Sequence, residues 1–79
     1  MIGEIKLKIR HAKRGNEKVL DLSGMGISEL PVDLTQLTML EKINLSNNKI
    51  KDLTKCSQLP NLTEIDASNN EIQSLSQDL

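Results

Sequence analysis

Few residues in this chain of 79 have both the type and the spacing that chemistry requires. His11 is the only histidine, and its neighbours in the basic run Lys6 to Arg14 include no carboxylate. General acid–base work needs a positioned partner, so an exposed helix residue is the expectation there. Cys56, the single cysteine, falls at an apolar position equivalent to Leu34 and reads as a small buried hydrophobe rather than a nucleophile. One cysteine also builds no intrachain disulfide. Gly24-Met-Gly26 supplies the first two glycines of a dinucleotide fingerprint, but Glu29 stands where the third belongs. No Cys/His cluster has metal-ligand spacing. Neither an enzyme nor a cofactor is expected. The basic run carries Lys6, Lys8, Arg10, Lys13 and Arg14, which suit contact with phosphates or an anionic membrane. Against that stand 0% aromatics for base stacking and a net charge of −1, so a solvated helix face is favoured over a nucleic-acid or membrane partner.

The polar residues that do recur belong to a repeat. Leu40-Glu-Lys-Ile-Asn-Leu-Ser-Asn-Asn-Lys-Ile-Lys-Asp-Leu53 superimposes on Leu62-Thr-Glu-Ile-Asp-Ala-Ser-Asn-Asn-Glu-Ile-Gln-Ser-Leu75 at an offset of 22 residues. Every apolar position meets an apolar one, and Ser-Asn-Asn returns unchanged. A third copy lies upstream at an offset of 23, where Leu20, Leu22, Ile27 and Leu30 match Ile43, Leu45, Ile50 and Leu53. Ile43-Asn-Leu45 and Ile65-Asp-Ala67 alternate as short strands with one buried face. Leu34, Leu37 and Leu40, then Cys56, Leu59 and Leu62, keep three-residue spacing, which suits a 3₁₀-like or short helical return. Asn48 and Asn70 fall in the turn after each strand, where an amide both donates and accepts, so a structural role is expected of both.

These residues resemble the leucine-rich repeat family, whose pattern is L-x-x-L-x-L-x-x-N-x-L. Residues 40–50 and 62–72 satisfy it, with Ile for Leu and Ala67 at one site. The first copy departs from it, with Met25 at the Asn position and Glu17 at the leading Leu, as end repeats often do. The resemblance covers residues 17–79 and implies an α/β solenoid. That is a right-handed coil with a short parallel sheet on the concave face. One domain, 1–79, is expected, with repeats at about 17–39, 40–61 and 62–79, the last incomplete. Residues 1–16 read as an amphipathic capping helix, with Ile2, Ile5, Ile9 and Ala12 at helical spacing and Gly15-Asn16 as its stop. Ile5, Leu7 and Ile9 also alternate, which leaves a strand as the alternative.

By the same resemblance, the outward strand positions form columns on the concave face: Val19, Lys42, Glu64; Asp21, Asn44, Asp66; and Ser23, Ser46, Ser68. They form the expected protein-binding surface, with Asp and Asn as acceptors for a partner's Arg, Lys or amides. A second candidate is the edge of the last repeat, formed by Leu62, Ile65, Ile72 and Leu75. If about 400 Å² is open there, covering it contributes roughly 10 kcal/mol at most. A chain of this size has about 4–12 kcal/mol of net stability. The edge is therefore expected to meet a partner, a second copy of the chain or further repeats. The expected function is a protein-interaction module or scaffold fragment, and the alternative is a structural subunit that stacks through its edge. The charged N-terminus has neither a signal-peptide core nor a membrane span, so a cytoplasmic location is expected and the sequons at Asn44 and Asn61 read as coincidence.

Overall fold

The computed structural model of the chain describes residues 2–73. Ile2–Arg14 form helix α1, as the period of Ile5, Ile9 and Ala12 requires, and these three side chains are buried against the rest of the core. The alternating strand reading is set aside, because Leu7 points to solvent while Ile5 and Ile9 do not. The helix ends on paired backbone bonds. The Glu17 N–H donates to the Ala12 carbonyl at 3.0 Å and the Asn16 N–H to that of Lys13 at 3.3 Å. Asn16 takes the left-handed conformation this stop needs, with φ of 49°.

Three strands follow, β1 (Val19–Asp21), β2 (Lys42–Asn44) and β3 (Glu64–Asp66), in one parallel sheet of order β1-β2-β3. The register aligns Val19 with Lys42 and Glu64, Leu20 with Ile43 and Ile65, and Asp21 with Asn44 and Asp66. The chain returns between strands through two 3₁₀ segments, Val32–Gln36 and Thr54–Gln58, which pack on each other. Three residues per turn place Leu34, Leu37 and Leu40 on one side, and all three are fully buried. The same bonds recur one unit later: Leu37 N–H to Leu34 O at 3.1 Å becomes Leu59 N–H to Cys56 O at 3.1 Å.

The core runs between the sheet and the return segments, and α1 covers β1 and the first of the returns. Burial is graded along it. Leu40, Ile43, Leu45 and Ile50 of the middle unit are buried, whereas Leu62, Ile65, Ala67 and Ile72, their counterparts in the next, are only half-buried.

Candidate functional site

Each strand ends in a turn built by the residue pair that follows its buried centre. The Asp21 carboxylate accepts the Ser23 N–H at 2.9 Å. Asn44 Oδ1 accepts the Ser46 N–H at 3.0 Å and its hydroxyl at 2.7 Å. Asp66 repeats this with Ser68, at 3.1 and 2.7 Å. The columns expected as free acceptors are thus half committed: one oxygen of each Asp, and the single Asn44 oxygen, already serve the strand end. The Ser23 bonds hold the Asp21 carboxyl below its ordinary value of 3.8, with Lys8 adding a smaller effect. The Ser68 bonds do the same for Asp66. Both stay anionic at neutral pH.

The open positions of the face are Lys42, Glu64, Asp21 and Asp66, with Ser68 exposed and Asn44 and Ser23 half-buried. Ser46 corrects the expectation: it is buried, and its hydroxyl is turned to Asn44. Lys42 lies 4.0 Å from Glu64 and Lys18 3.8 Å from Glu41, as exposed pairs across neighbouring strands. Such pairs contribute about 0–1 kcal/mol and leave the charges open to a partner.

Asn48 and Asn70 each bond to the backbone of the preceding unit. Asn48 Oδ1 accepts the Met25 and Ile27 amides at 3.0 Å, while its Nδ2 donates to the Leu22, Leu45 and Ser46 carbonyls at 2.9–3.2 Å. Asn70 accepts the Ile50 amide at 3.0 Å and donates to Leu45, Ala67 and Ser68. The preceding Asn47 and Asn69 make the turn itself, with φ of 59° and 57°, and Gly24 stands there in the first unit at 64°. Met25 has no upstream unit whose backbone needs an amide, and it is buried as an apolar core residue instead.

On the edge, Leu62, Ile65 and Ile72 are half-buried, and Leu75 lies outside the described residues. Cys56 is buried among apolar neighbours, which pushes its thiol up to about 11, so little thiolate exists at neutral pH. No group of three metal-ligating side chains occurs among the described residues. The basic helix is partly used within the fold. Lys8 Nζ donates to the Asp21 carbonyl and Lys13 Nζ to Gln36 Oε1, each at 3.0 Å, fastening α1 over β1 and the first return.

One feature was not read from the sequence. Leu7 and Val19 are 54% and 57% exposed and line a cleft of about 380 Å³ between α1 and β1. Lys8, His11, Glu17, Leu20 and Asp21 complete its wall, so His11, expected to stand apart from carboxylates, shares a cleft with two. Only the packing of the helix over the first strand brings these residues together.

Comparison with known proteins decides the family. The family model described as leucine-rich repeats in two copies matches residues 38–79, more than half of the chain. The chain belongs to the leucine-rich repeat family. A relative from Arabidopsis thaliana, named "Probably inactive leucine-rich repeat receptor-like protein kinase", is 48% identical over 40 residues. That stretch is 51% of this chain but only 5% of the relative, so the likeness concerns the repeats. Leucine-rich repeats generally mediate protein–protein interaction and are generally non-catalytic. The family implies a solenoid-like fold, to which the parallel sheet and its stacked returns correspond. No helix among the described residues is long and apolar enough to cross a membrane.

Proposed function

We propose that this leucine-rich repeat chain is a protein-interaction module that binds its partner on the outward face of the sheet. The observation that carries the reading is the register itself. Val19, Lys42 and Glu64 stand in one row and Asp21, Asn44 and Asp66 in the next, on a rigid three-strand frame. Such rows offer a partner fixed charges at about 4.8 Å spacing. The free carboxylate oxygens of Asp21 and Asp66 suit basic groups, and the Lys42–Glu64 pair accepts either sign. A right-handed coil, which parallel crossovers strongly favour, curves this face inward. The proposal takes residues 1–79 as one domain with residues 1–16 as its cap, and retains the cytoplasmic location.

A photo-crosslinking residue at position 42, with another at Ser57 as control, tests the reading in extracts of the source cell. A discrete adduct from position 42 alone is expected. It should vanish in the Asn44→Arg, Asp66→Arg double variant, and a partner retained by that variant rejects the sheet face.

A second reading, stacking through the last unit, is favoured by the half-burial of Leu62, Ile65 and Ile72 where Leu40, Ile43 and Ile50 are buried. Light scattering between about 5 and 500 µM tests it, because association depends on concentration. A mass that rises and is reset to monomer by Ile72→Lys supports assembly; a monomer throughout removes it.

A further inference from the structure

Among the described residues only Leu7, Val19 and Val32 are large apolar side chains left well exposed. Two of the three line one cleft, between α1 and β1, with Leu20 as a third apolar wall. Val19 is also the apolar member of a row whose other members are Lys42 and Glu64, so the cleft opens onto the sheet face. A cleft of about 380 Å³ lies within the range of sites that take a small group or one large side chain. It is lined mainly by apolar surface, and its charged rim is asymmetric. On the helix side Lys8 is held on the Asp21 carbonyl, and its charge also acts on the Asp21 carboxylate. On the strand side Glu17 and Asp21 form no ion pair among the described residues, and neither does Asp66, two strands along the same face. Strand spacing puts Asp66 about 9.6 Å from Asp21.

We propose that this cleft is the anchor site of the sheet face, and that its occupant is a basic partner segment. One large apolar side chain of that segment seats between Leu7 and Val19, and Arg or Lys residues beside it lie over Glu17, Asp21 and Asp66. The proposal rests on the sheet-face reading and adds to it the place of the anchor and the chemistry of the partner. An anchor in a desolvated pocket surrounded by weaker polar contacts is how most interfaces concentrate their energy. The net charge of −1 gives no global attraction for basic segments, so selectivity has to come from these three carboxylates locally.

The test uses the 79-residue chain and a displayed library of random 12-residue peptides. The expected selection is for peptides with a large apolar residue within about four positions of Arg or Lys. Their affinity should fall about tenfold or more on Leu7→Ser and on Val19→Ser, both solvent-facing changes whose folding is checked by circular dichroism. Asp21→Asn should weaken them less and reduce their salt dependence. Enrichment of acidic peptides, or affinity unchanged by both serine variants, overturns the anchor site. Peptides that lose binding on Asn44→Arg with Asp66→Arg, but not on Leu7→Ser or Val19→Ser, overturn the cleft while leaving the sheet-face reading in place.

Discussion

Asn48 Oδ1 accepts the backbone N–H of Met25 at 3.0 Å, so a side chain of the second unit closes the turn of the first. The same oxygen takes the Ile27 N–H, and both bonds are buried. Asn48→Leu keeps the volume and removes the acceptor. Each buried N–H left alone costs about 1–3 kcal/mol, so the loss should be about 2–6 kcal/mol in urea unfolding. Asn70→Leu strips one such amide, that of Ile50, at a part-buried site, and should cost about half as much. Equal losses would show that the ladder does not carry the difference between the two.

Asn47 and Asn69 take left-handed backbone at the position Gly24 fills in the first unit. A β-branched residue is disfavoured there by about 1–2 kcal/mol. Asn47→Val and Asn69→Val should therefore each lower the melting temperature by several degrees, on the order of 4–8 °C per kcal/mol for a domain this small. Asn47→Gly should stay within about 0.5 kcal/mol of the parent chain, since glycine adopts the turn freely but loses more entropy on folding.

The Ser68 bonds hold Asp66 below 3.8. Ser68→Ala removes the hydroxyl bond, the larger of the two causes, and should move the Asp66 carboxyl up toward that value in an NMR titration. A depressed carboxylate gives stability that is present above its unfolded value and lost as pH falls through the folded one. The Ser23 and Ser68 turns should accordingly weaken as pH falls below about 4, the ordinary carboxylate range.

Burial raises the Cys56 thiol from 9.0 to about 11. A raised value gives stability that is whole below pH 9 and lost as pH rises toward 11. A colourless thiol reagent test at pH 8 checks the burial directly: Cys56 should react at the rate of global opening and become fast only in denaturant. Fast labelling of the folded chain would contradict its place in the core.

Much of this arrangement was legible in the chain because the repeat writes its register into the sequence. The offsets of 23 and 22 residues align Asp21 with Asn44 and Asp66, and the sheet keeps that alignment. The capping helix was readable from Ile5, Ile9 and Ala12 for the same reason, one apolar side at a fixed period. What escaped depends on local or tertiary chemistry that periodicity does not carry. Ser46 looked like a surface residue from its place in the outward columns, but it is buried in the middle unit, whereas Ser68, with the same bond to Asp66, is exposed in the last. The Asx-x-Ser spacing signals the turn bond at each strand end but not the burial, which depends on a neighbouring unit on either side. Of the two asparagines in each Ser-Asn-Asn triplet, only the geometry separates Asn47, which bends the chain, from Asn48, which bonds the units together. The Leu7–Val19 cleft joins residues from two elements, and no spacing rule along one chain announces such a meeting.

The graded burial of the core also sets the order in which the molecule opens. The bond from the Leu45 N–H to the Asp66 carbonyl lies under a layer of half-buried side chains, whereas that from the Leu22 N–H to the Asn44 carbonyl lies between fully buried ones. Amide protons on the β3 side should exchange with solvent through small local openings, while those shared by β1 and β2 wait for global unfolding. Opening is therefore expected to begin at β3, and anything that grips β3 should slow exchange there first.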